Sequence, residues 1–113
     1  MPWGTLHALS EKMVSDAELA KRAGSASKAE EFYGYAAAFE KDALEDLLKE
    51  TAEPKPRTVS ILAVSATALY YKARQYGLLK EFADKVMAEQ PLLDFARAQI
   101  QEMLDWSTKP DAA

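Results

Sequence analysis

At 113 residues, with 49% apolar and 28% charged side chains, the chain has the size and composition of one folded domain and is too apolar to remain disordered. Its net charge of −4 is uneven: residues 1–54 carry 6 Lys/Arg against 11 Asp/Glu, and residues 55–113 carry 8 against 7, with none of the clustered basic surface that nucleic-acid binding draws on. The lack of cysteine removes disulfides, thiolate metal sites and cysteine nucleophiles, and with neither a secretion signal after Met1 nor an apolar run near the ~20 residues of a membrane helix, the expectation is a cytoplasmic domain with no membrane and no nucleic acid among its partners.

Glycine and proline cut the chain at Gly4, Gly24, Pro54 with Pro56, Gly77, Pro91 and Pro110 into five helix-sized segments. Each repeats its apolar residues at three- and four-residue steps, the spacing of one helix face. The first carries Leu6, Leu9, Met13, Ala17 and Ala20. The second carries Ala29, Phe32, Tyr33, Ala36, Phe39, Ala43 and Leu47 and opens on Ser27-Lys28-Ala29-Glu30, a capping-box pattern. Gly34 alone interrupts a segment, and the adjacent Ala36-Ala37-Ala38 points to close packing there.

The third segment has Pro56 at a first helical position and is apolar on nearly every side from Val59 to Tyr71, which predicts a central, enclosed helix. Thr58 to Val64 also fits a buried strand, but no other segment offers a strand to pair with it. Gly77 is expected to cap this helix in the left-handed conformation. The fourth segment carries Leu79, Phe82, Ala83 and Val86, and the fifth Leu92, Ala96, Ile100, Met103 and Leu104. The expected fold is all-α: about five helices joined antiparallel in one domain over residues 1–113, either an α-hairpin array or a small bundle, with residues 1–4 and 107–113 loose.

Few residues suggest chemistry. His7 is the one histidine, so a di-iron site with two Glu-x-x-His pairs is excluded, and an ordinary surface or half-buried histidine is expected. The carboxylates Glu30, Glu31, Glu40, Asp42, Glu45, Asp46 and Glu50 read as solvated helix faces, with Glu45–Lys49, Glu18–Arg22 and Glu81–Lys85 as pairs. Ser60, Ser65 and Thr67 read as hydroxyls bonding their own helix's carbonyls. The four glycines are isolated, which rules out a phosphate loop. No catalytic residue, cofactor or metal is expected, and the chain reads as a non-enzyme. Tyr33 and Tyr70 should face inward, with Tyr35 and Tyr71 off that face and Tyr71 a candidate recognition aromatic.

Two stretches within residues 9–91 resemble tetratricopeptide (TPR) repeats, each a pair of antiparallel helices. Gly24, Ala29, Tyr33 and Ala36 fall in the register of that family's loop glycine, packing alanine, second-helix aromatic and next-turn alanine. Tyr70, Tyr76 and Pro91 fall on its first-helix tyrosine, turn aromatic and closing proline. The chain departs from the pattern at Thr67 and Arg74, where glycines are usual, and at Leu79, where alanine is usual. Its equivalent positions lie 50 residues apart, against a family period of ~34.

The resemblance implies a TPR-like protein- or peptide-binding module, with the fifth segment as a capping helix. It also implies a groove between the first and third helices, lined by Glu11, Val14, Glu18, Lys21 and Arg22 on one side and Ile61, Val64, Ala68, Tyr71 and Lys72 on the other. The occupant would be a protein or peptide or, alternatively, a second copy in a homodimeric structural or regulatory subunit. Relatives that grip a terminal carboxylate use asparagines, of which this chain has none.

Overall fold

The computed structural model describes residues 1–109 and has five helices: α1 (Trp3–Arg22), α2 (Ala26–Glu50), α3 (Pro56–Lys72), α4 (Tyr76–Glu89) and α5 (Asp94–Ser107). There is no strand among the described residues. The ends expected to be loose begin inside helix, with Trp3 and Gly4 in the first turn of α1 and Ser107 in the last turn of α5, while residues 110–113 lie outside the described residues.

The first hairpin turn follows from one glycine. After the C-cap Ala23, Gly24 takes φ +82°, its N–H donates to Lys21 O, and Ser25 N–H donates to Ala20 O at 2.9 Å. This paired pattern is a Schellman end, which satisfies carbonyls the helix leaves free. Ser25 then serves at once as the N-cap of α2, so Ser27 lies inside the first turn, and the expected Ser27–Glu30 capping box is replaced by an N-cap without a side-chain bond.

The turn between α3 and α4 is built identically, except that its left-handed residue is Arg74 at φ +59°, with Arg74 N–H on Tyr71 O and Gln75 N–H on Tyr70 O. Gly77, expected in that role, lies in the first turn of α4. The helix ends where its buried stripe ends, at Tyr70 and Ala73, four residues before the glycine. Gly34 packs against this turn, since a Cβ placed on it would stand 3.0 Å from Gln75 Nε2.

Packing follows the apolar stripes. α1 packs on α2, α2 also on α3, and α3 on α4 and α5, with α4 also against α5. α3 is therefore the central helix, and it buries Val59, Leu62, Ala63, Ala66, Leu69 and Tyr70. The α1 and α3 backbones do not approach each other, and neither do those of α2 and α4. A trough remains between α1 and α3 and another between α2 and α4. The small residues Ala17, Ala36 and Ala37, all fully buried, let α1 and α2 lie close.

Ser60 and Arg97 fix the start of α5. Ser60 Oγ accepts from Leu93 N–H at 2.9 Å rather than donating to its own helix, and Arg97 Nη2 donates to Met87 O at 3.1 Å beside the end of α4. Thr67 does follow the expected pattern, donating to Ala63 O at 2.8 Å.

Candidate functional site

The trough between α1 and α3 is a groove of about 480 Å³. Its floor is α2, and the residue at its centre is Glu40, a carboxylate only 1% exposed. An isolated buried carboxylate is unfavourable, so its partners define the site. His7 Nδ1 of α1 stands 2.8 Å from Glu40 Oε1, and Ser65 Oγ of α3 donates to Glu40 Oε2 at 2.5 Å. The other nitrogen of the ring, His7 Nε2, is 3.2 Å from Glu11 Oε1. Beside them Ser10 Oγ donates to Ala36 O at 3.0 Å. One side chain of α2 thus joins α1 to α3 across a gap their backbones do not close.

His7 is half-buried, within what the sequence led one to expect, with two carboxylate partners. The contacts correct two other expectations. Glu40 belongs to the core and to no solvated face. Ser65 bonds to Glu40 in place of its own helix. The order of the three groups differs from that of a serine–histidine–acid triad, because the Glu40 carboxylate, and not His7, contacts the Ser65 hydroxyl. Among the described residues no group of three or more His, Asp or Glu is placed to hold a metal ion.

Of the residues expected to line the groove, Glu11, Val14, Ala68 and Lys72 do so. Lys72 Nζ lies over the Tyr33 ring, 5.6 Å from its centroid, a cation–π contact that holds the ammonium above the floor. Glu18, Lys21 and Arg22 are exposed on the last turns of α1, beyond Val14 and Ser15. Ile61 is exposed one helical turn before Ser65, and Val64 packs partly buried against the core. Tyr71 is turned away: its ring packs on Tyr76 and Trp106, both at 5.7 Å between centroids. His7, Ser10, Ser15, Glu40, Ser65 and Leu69 line the groove without having been expected there. Its charge is polarised, with Glu11 and Glu40 around His7 toward one end and Lys72 toward the other.

A second trough, of about 420 Å³, lies between α2 and α4 with Tyr70 of α3 in its lining. Its interior is apolar and its rims are charged. Burial, together with the negative charges of Asp42, Glu45 and Glu81, raises the Tyr70 hydroxyl above the ordinary tyrosine value of 10. None of the expected pairs Glu45–Lys49, Glu18–Arg22 and Glu81–Lys85 forms among the described residues. The intrahelical pairs that do form include Lys12–Asp16, Lys41–Glu45 and Lys80–Asp84.

No helix among the described residues is long and apolar enough to cross a membrane. Comparison of the chain with known proteins found no matching family model, no matching curated protein and no matching solved structure.

Proposed function

We propose that the chain is a non-catalytic binding module, TPR-like in its hairpins, that holds an extended segment of a protein or peptide in the groove between α1 and α3. The observation that carries this reading is the open groove itself: two helices held apart over a common floor, their separation fixed by the His7–Glu40–Ser65 link. A fixed, open groove lowers the ordering cost of binding. The repeated Schellman turns at Gly24 and Arg74, 50 residues apart, support the hairpin-repeat part of the reading.

The lining suits a segment with an apolar side chain against Val14 and Ala68 and a carboxylate near Lys72. Lys21 and Arg22 lie exposed toward the same end of the α1–α2 hairpin and extend that positive charge. A tagged chain expressed in its native host tests the proposal, with Ala68→Arg as the blocking variant. The expected result is a reproducible protein partner that is lost from Ala68→Arg while the circular dichroism spectrum and melting temperature stay those of the parent. A partner retained equally by both contradicts the proposal, and a symmetric dimer without another protein favours the self-associating subunit.

A further inference from the structure

The groove between α1 and α3 carries opposite charge at two levels along its length. Toward one end Glu11 and the buried Glu40 face the single imidazole of His7, at 3.2 Å and 2.8 Å. Two carboxylates against one ring keep this end acidic even when the ring is protonated. The Glu11 side chain is 71% exposed, which leaves its carboxylate open to a further partner. Toward the other end Lys72 is held over the Tyr33 ring and has no carboxylate partner among the described residues. Glu40 and Tyr33, the floor residues beneath the two ends, are seven residues apart on α2, which sets the two levels about 10 Å apart.

The width of the groove restricts the occupant further. His7 from α1 and Ser65 from α3 both contact the same Glu40 carboxylate, so at the floor the two walls are one side chain apart. An α-helix, about 10 Å across, is too wide to enter there. An extended chain fits. It rises about 3.3 Å per residue, so about three residues cover the distance between the acidic and basic levels. Ala68 and Leu69, which lie between Ser65 and Lys72 on α3, line the stretch that those residues would cross.

We infer, resting on the groove reading above, that the occupant is an amphoteric extended segment of another protein. One lysine or arginine side chain of the segment lies against Glu11, one acidic side chain about three residues away lies against Lys72, and small apolar residues cross Ala68 between them. The charge of each end is complementary to the group it receives, which fixes the register of the segment and which way round its two charges lie. A wholly acidic segment meets like charge at Glu11 and Glu40, and a wholly basic one meets it at Lys72, so both are disfavoured.

The test uses the isotopically labelled full chain at low salt and end-capped synthetic peptides in which two valines separate one lysine from one glutamate. Both chain orders are made, beside counterparts with glutamine in place of the lysine or of the glutamate. The tighter of the two orders should give saturable shift changes at Val14, Ala68 and Lys72. It should bind about two- to fivefold more tightly than either of its glutamine counterparts, the range of an exposed charge pair. Glu11→Gln should weaken the lysine-bearing peptide by a similar factor and leave the counterpart without lysine unchanged, whereas a merely structural effect would weaken both. Equal binding of the charged and glutamine peptides, with shifts in the groove, overturns the inference and leaves the groove reading standing. Shifts only outside the groove, or none that saturate, overturn both. Sedimentation of the chain alone provides the remaining outcome: a dimer that Glu11→Gln dissociates would assign the two charges to a second copy and overturn the heterologous segment.

Discussion

Arg74 occupies, at φ +59°, the left-handed position one residue past a helix C-cap that Gly24 occupies at φ +82° fifty residues earlier. The two turns share their hydrogen bonds but not their backbone cost, because a side chain in this region is disfavoured by roughly 1 kcal/mol. Arg74→Gly should therefore raise the melting temperature by a few degrees, less the small contribution of the Arg74–Glu30 contact at 3.8 Å. Gly24→Ala should lower it, although a Cβ there meets nothing within 4 Å. Thermal unfolding of both variants checks the pair; a clear loss of stability in Arg74→Gly refutes the shared-turn account.

The link from His7 through Glu40 to Ser65 should behave as a unit. His7→Ala or Ser65→Ala leaves a buried carboxylate with one partner fewer, at about 1–3 kcal/mol. A double-mutant cycle between His7→Ala and Glu40→Gln should give a coupling on the order of 1 kcal/mol. Additive effects would mean that Glu40 does not hold the two helices through His7.

Tyr70→Phe isolates a hydroxyl that has no partner in the fold. At neutral pH it should change stability by less than about 0.5 kcal/mol. Because the folded value of Tyr70 is raised, the unfolded chain ionises first, and the parent loses stability as pH rises through about 10 toward that raised value. The variant lacks this loss and should resist alkaline denaturation better. Denaturant titrations at pH 8 and pH 11 check the sign; an identical alkaline loss in both chains would contradict it.

Ile100 is fully buried on α5, and Ile100→Ala should cost about 2–5 kcal/mol. A cost below about 1 kcal/mol would make α5 a loosely docked segment rather than the helix that closes the array. Amide exchange should be slowest between Ile61 and Tyr70, on the central helix.

The number, order and type of the helices were legible because every segment repeats its apolar residues at helical spacing and ends near a glycine or proline. The boundaries were less legible where one residue serves two ends, as Ser25 does, or where a non-glycine accepts left-handed strain, as Arg74 does. The groove was legible in part. Glu40 falls on the buried stripe between Ala36 and Ala43, a position at odds with its charge, but among so many neighbouring carboxylates it read as part of a solvated face, and the centre of the site was missed. His7 and Ser65 carry no such mark, because their role depends on two other helices meeting the same side chain. Tyr71 and Lys72 are neighbours in the chain, yet a 100° step around α3 turns one toward α4 and α5 and leaves the other over the groove.

The most direct test of the groove is the affinity of Lys72→Glu for the copurified partner, measured beside the parent chain at low and high salt. Lys72 is exposed and sits over Tyr33, so reversing its charge should leave the fold intact. The account predicts an affinity loss on the order of tenfold for Lys72→Glu at low salt, shrinking as salt screens the charges. Equal affinity of the two chains at both salt concentrations would contradict it.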